Sequence, residues 1–170
     1  GAERKRLIAN LANENPLLHS SFLLAKRTLD ASKHFLSSSE AYPLCGRGRV
    51  NLYTVFAEAN RFLLNPTGLT GLVLPTGIAT DDTTKFFFQN LMDTKSLNSL
   101  YDFENRLKLF PSVDSRMKFC CFTAGSGVAP VTESAEFAFF LHATSELADP
   151  NKRFRLSPED IALLNPNTRT

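Results

Sequence analysis

The residues best placed to do chemistry cluster between Glu104 and Lys118. Phe110-Pro111 sits among Arg106, Lys108, Arg116 and Lys118, and with Glu104 and Asp114 counted against them the stretch carries +2. Guanidinium and ammonium groups around an aromatic suit contact with phosphates. Pro111 would stiffen the loop and present the ring. The plainer readings are solvated charges on a hairpin, and Phe110 as a hydrophobic plug at its tip. Thr76, Thr80, Asp81 and Asp82 form a second polar group, whose residue types read as helix capping.

Other chemistries fail on spacing. His19, His34 and His142 lie far apart, and no Cys or carboxylate joins them at metal-ligand intervals. Cys45 lacks a His partner in any local motif, and Cys120-Cys121 falls in a strand-like run. No Gly-x-Ser-x-Gly elbow occurs, and Gly125-Ser126-Gly127 reads as a turn. Gly46-Arg47-Gly48-Arg49 lacks the preceding strand and the third glycine of a dinucleotide fingerprint, so it reads as a tight turn leading into a helix.

The elements that must position these residues follow from periodicity. Leu7, Ile8 and Leu11 share one helical face, and after Pro16 the apolar residues from Leu17 to Phe35 recur at helical spacing. These two amphipathic helices need a partner surface. Asn51 caps a third helix reaching Leu64, stopped by Asn65-Pro66-Thr67-Gly68. Leu69 to Leu74, closed by Pro75, reads as a buried strand. Thr80-Asp81-Asp82 caps a helix carrying Phe86, Phe87, Phe88, Leu91 and Met92. Strands are expected over 97–103 and 117–123, with a fourth over 137–141 and a short extended piece over 153–156. Ser157-Pro158-Glu159-Asp160 opens a last helix. The strands at 69–75 and 97–103, joined by a helix, make a parallel unit. The dozen residues from Glu104 to Ser115 are too few for a helical crossover, so the next strand is antiparallel. Ligands of open α/β sheets bind beyond the carboxyl ends of the strands. The loops over 75–82 and 104–115 lie on that edge.

Composition bounds the answer. In 170 residues, Lys+Arg number 19 and Asp+Glu 17, while 43% of residues are hydrophobic and 15 are Phe. That is a globular composition of about one domain, not a disordered tail. No run of about 18 uncharged apolar residues exists to span a membrane. Three Cys, two adjacent, make no disulfide scaffold, so reduced cytoplasmic thiols are expected. Residues 1–50 carry +4 and residues 51–170 carry −2, which puts the basic surface on the N-terminal helices.

Asn51-Leu52-Tyr53-x-x-Phe56, then Leu63-Leu64-Asn65-Pro66-x-Gly68 and Gly71-Leu72-Val73-Leu74-Pro75, resembles the helix, turn and fifth strand of adenine-N6 DNA methyltransferases, above all the large restriction–modification enzymes. Tyr101-Asp102-Phe103-Glu104-Asn105-Arg106, Leu109-Phe110-Pro111 and Lys118-Phe119 resemble that family's sixth strand, substrate loop and seventh strand. The resemblance covers about residues 47–124. It implies an α/β fold: a partial Rossmann-like methyltransferase sheet of fifth, sixth and seventh strands, the seventh antiparallel between the other two, with N-terminal helices. The implied cofactor is S-adenosylmethionine and the implied partner is double-stranded DNA with a flipped adenine. Phe56 matches the aromatic against the cofactor's adenine, with a core position as its plain alternative. Phe110 matches the aromatic that stacks on the flipped base. Arg106, Lys108 and Arg116 would then face the substrate's phosphates.

Parts of the family pattern are missing. Its catalytic Asn/Asp-Pro-Pro-aromatic does not occur: Asn15-Pro16, Asn65-Pro66 and Asn165-Pro166 all break off before a second proline. The glycine-rich cofactor loop and the acidic ribose ligand are also absent. No catalytic residue and no metal site is therefore assigned in this chain. The expected organisation is a helical lead-in over 1–45, the C-terminal half of a catalytic domain over 46–142, and a connection toward a target-recognition domain over 143–170. Upstream and downstream domains of the same polypeptide would supply the rest, within a restriction–modification or related phage-defence system. The chain alone is expected to be inactive. The alternatives are a non-catalytic DNA- or partner-binding specificity module, or a methyltransferase acting on RNA or protein.

Overall fold

The structure, a computed structural model, describes residues 1–164 and divides into two compact units, Gly1–Ala41 and Tyr42 onward. Asn165-Pro166, which follows the last helix in sequence, lies outside the described residues.

The first unit is a pair of helices, α1 (Ala2–Glu14) and α2 (Pro16–Ser38). Asn15 separates them. Its side chain accepts the Leu18 N–H at 3.0 Å, and Pro16 follows at the first helical position, where a missing N–H costs nothing. Neither helix buries a residue. Leu17, Leu24, Leu29 and Phe35 are all more than half exposed.

The second unit is mixed α/β. Helix α3 (Leu52–Phe62) leads to β1 (Leu69–Pro75), a short helix α4 (Gly77–Thr80), α5 (Lys85–Asp93), β2 (Leu97–Glu104), β3 (Lys118–Gly125), β4 (Ala135–Leu141), β5 (Phe154–Leu156) and α6 (Pro158–Leu164). The five strands form one sheet in the order β1-β3-β2-β4-β5. β3 runs antiparallel to both β1 and β2, so these two are parallel to each other. β4 is parallel to β2, and β5 closes the sheet antiparallel to β4.

Leu100 pairs with Phe122, and α5 sets Phe87 against Phe122 at 6.2 Å between ring centroids. All three are essentially solvent-free. Each such side chain contributes about 1.5–3 kcal/mol by leaving water. The opposite face of β2 gathers Phe103, Leu141 and Ala138 in a second cluster with Phe119 and Leu147. Two buried charges on α3 tie loops to the sheet. Glu58 accepts the N–H groups of Leu44 and Cys45 at 3.1 and 2.8 Å. Arg61 donates to Gly125 O, Asn90 Oδ1 and Ser96 Oγ at 3.1, 2.9 and 3.0 Å. Burial lowers the Arg61 pKa, and Glu58 opposes that shift.

Several expectations are corrected. β1 is a half-exposed edge strand, not a buried one: only Leu74 is buried and Val73 is 58% exposed, because among the described residues the strand has a neighbour on one side only. Asn51 stands at the α3 N-cap, yet its side chain makes no capping bond. No side-chain cap forms at Thr80, Asp81 or Asp82 either. The chain there turns through α4 and one 3-10 turn before α5 begins at Lys85. β4 is a full strand of seven residues. Gly46-Arg47-Gly48-Arg49 is a turn, with Gly48 at φ +61° as a left-handed turn requires. The three cysteines are free, and burial pushes the Cys120 thiol up to about 12, which leaves it protonated and unreactive.

Candidate functional site

Parallel strands point their carboxyl ends to one edge. Here β1 ends at Pro75-Thr76, β2 at Asp102 to Glu104, and β4 at Phe139-Phe140-Leu141. Antiparallel β3 begins on the same edge at Lys118. A cleft of about 680 Å³ opens there, walled by Tyr53, Thr76, Gly77, Asp81, Asp102, Lys118, Phe139 and Phe140 among others.

Asp102 is the polar centre of this edge, 2% exposed. Its carboxylate accepts the Thr76 hydroxyl at 2.5 Å and the Phe140 N–H at 3.3 Å, and Lys118 Nζ stands 3.9 Å away. A buried carboxylate needs such partners to replace the water it has lost. Gly77 lines the same wall, and a Cβ there would lie 2.5 Å from Asp81 Oδ2 and 3.0 Å from the Tyr53 hydroxyl, so those two side chains would have to shift. Burial first, then the Asp81 charge, raises the Tyr53 phenol above its ordinary pKa, so it is a hydrogen-bond donor at neutral pH.

The β2–β3 loop rises beside the cleft. Asn105, fully buried, clamps it: its Nδ2 donates to Phe110 O and Val113 O at 2.9 and 3.0 Å, and its Oδ1 accepts the Phe110 N–H at 3.0 Å. Phe110 is 42% exposed and meets Phe119 edge-on at 5.0 Å and 86°. Phe119 in turn stacks on Phe103 at 5.3 Å. The ring is thus fixed at one edge and partly open to solvent.

The basic residues of the loop are already partnered. Arg106 pairs with Glu104, Arg116 makes a two-pronged pair with Asp114 at 2.9 and 3.1 Å, and Lys108 donates to Val113 O at 3.0 Å. The Asp114 partner raises the Arg116 pKa, and the Arg106 hydrogen bond is the main cause of the lowered Glu104 pKa. All three cations are exposed, and none of them lines the cleft; Lys118 does. Phe56 is 62% exposed, which removes the core reading. It lies one helical turn beyond Tyr53 on α3, near the same face.

Asp102 and Asn105 were not singled out from sequence. Their partners lie 26 and 38 residues off for Asp102, and 5 and 8 for Asn105, at intervals that belong to no local motif. A buried-polar argument on the β2 alternation was the one available signal: an Asp between Tyr101 and Phe103 must have a partner.

Among the described residues no group of three His, Cys, Asp or Glu is arranged to hold a metal, and no helix is long and apolar enough to cross a membrane. No family model matches the chain, and no curated protein matches it.

Proposed function

We propose that this chain is the C-terminal part of the catalytic domain of an adenine-N6 DNA methyltransferase of the large restriction–modification type, with a Rossmann-like sheet completed by other parts of the polypeptide. One observation supports this reading most. β3 lies antiparallel between two parallel strands, and its preceding loop presents an aromatic beside a cleft at the strands' carboxyl ends. The resemblance implies that order, and the periodicity of the sequence does not dictate it.

On this reading Phe110 stacks on the flipped adenine, and the edge-on contact with Phe119 holds its ring in place. A base stacked on an aromatic gains about 1–3 kcal/mol. Arg106, Lys108 and Arg116 lie on the DNA side, where Arg106 and Arg116 exchange carboxylate partners for phosphates. S-adenosylmethionine would supply the methyl group. The exposed ring of Phe56 fits one part of it, the adenine face. No glycine loop and no acidic ribose ligand accompany it here, so the chain holds the cofactor incompletely and carries no step of the transfer.

Calorimetric titration of the isolated chain with S-adenosylmethionine tests the incomplete-site claim. Binding weaker than millimolar and no methylation are expected. Micromolar binding, or any methyl transfer by this chain alone, contradicts it.

The second reading, a non-catalytic DNA- or partner-binding module, is favoured by the apolar stripe of α2, where Leu17, Leu24 and Phe35 are solvent-exposed.

A further inference from the structure

β4 departs from its neighbour at one place. Tyr101 pairs with Ala138 and Phe103 with Leu141, so three steps along β4 match two along β2. The extra residue is a β-bulge, a device that re-aims a side chain at the end of a strand. Phe140 occupies it at φ +59°, a left-handed conformation that a bulky side chain rarely adopts. Its N–H is anchored on Asp102, which Thr76 fixes in turn. The cost of this arrangement is not recovered by burial, since Phe140 is 66% exposed. Lys118 Nζ sits over one face of the ring at 4.2 Å, and Phe139 touches it only at a tilt, 6.5 Å between centroids. The ring is otherwise largely exposed, and Phe140 and Lys118 both line the cleft.

We propose that Phe140 is a ring-binding residue: a planar nucleobase entering this cleft stacks on its exposed ring, beside the Lys118 ammonium that packs against the same side chain. A backbone held in a rare conformation to keep an aromatic in solvent has a ready explanation if a flat ligand covers that aromatic. The site is distinct from Phe110, which is braced by a different ring and lines no part of the cleft. That the ligand is a nucleobase rests on the methyltransferase reading. The bulge, the strained conformation and the open ring do not.

The test is an NMR titration of the whole chain with deoxyadenosine 5′-monophosphate, with deoxyribose 5-phosphate as the ring-less control. The nucleotide is expected to shift the Phe140 ring and Lys118 resonances, and the control to shift neither. Phe140→Gly should weaken nucleotide binding about tenfold or more and leave the melting temperature unchanged or higher, because glycine relieves the left-handed strain. Phe140→Asn, which also tolerates this conformation, repeats the test should glycine loosen the strand. Phe140→Tyr should retain binding. Unchanged nucleotide binding in the Gly and Asn variants, or equal binding of the control, overturns the proposal. A longer parent polypeptide that methylates no DNA, while the nucleotide still binds through Phe140, defeats the methyltransferase reading and leaves this site standing.

Discussion

Single residues at the sheet edge act mostly by satisfying backbone groups. Asn105 holds the aromatic loop by side-chain hydrogen bonds to its main chain and Asp102 holds the β4 bulge. Glu146 does the same for the turn after β4. Its carboxylate pairs with Lys152 and accepts the N–H groups of His142 and Ala143, both at 2.8 Å. These partners, Lys152 first, lower its pKa from the ordinary 4.5 to about 2. A carboxyl depressed in the folded state stabilises the fold above its unfolded value, and the contribution fades as pH falls toward the folded one. The contribution of Glu146 is therefore complete above about pH 5 and lost progressively between about 4.5 and 2. In Glu146→Gln the acid limb of a plot of urea midpoint against pH should become shallower, with Glu104, Asp114 and Asp160 still contributing, and a limb identical to the parent's would refute the assignment. The aromatics Phe56 and Phe110 stood out in the sequence, because a motif names them. The residues that aim the site did not, because a carboxamide or carboxylate bonded to main chain leaves no periodic trace.

Elements were more legible than their surroundings. The runs over 69–75 and 97–103 became strands almost to the residue; the first is a short apolar run bounded by Gly68 and Pro75, a pattern that carries that signal. The antiparallel sense of β3 followed from loop length alone. Burial did not follow. Leu69 to Leu74 has the apolar run of a central strand yet lies at the sheet edge. An apolar run reports what a strand can tolerate, and only topology says how many neighbours it has. The contrast is measurable. Leu100→Ala, at a fully buried central position, should cost about 3 kcal/mol. Val73→Thr, on the exposed side of β1, should change stability by less than about 0.5 kcal/mol. Urea unfolding of the two variants checks this, and comparable losses would mean that β1 is covered in solution. The β4 bulge was not legible either, because an extra residue in a strand is visible only against its partner's register.

At the scale of the molecule, the described chain holds two units of different character. The mixed sheet unit buries two aromatic clusters and presents a cleft at the carboxyl ends of its strands. The helical unit buries nothing, although its apolar spacing is that of a packing face. On the proposed reading, Phe110 receives the target base and the chemistry is supplied by other parts of the polypeptide. The near-neutral charge then averages a basic helical start with a mildly acidic remainder. The central claim is tested most directly by N6-methyladenine in DNA, measured by mass spectrometry in cells expressing the longer parent polypeptide with or without Phe110→Ala. N6-methyladenine is expected with the parent and its loss with Phe110→Ala, while the variant still binds S-adenosylmethionine. No N6-methyladenine from the parent, or an unchanged amount in Phe110→Ala, contradicts it.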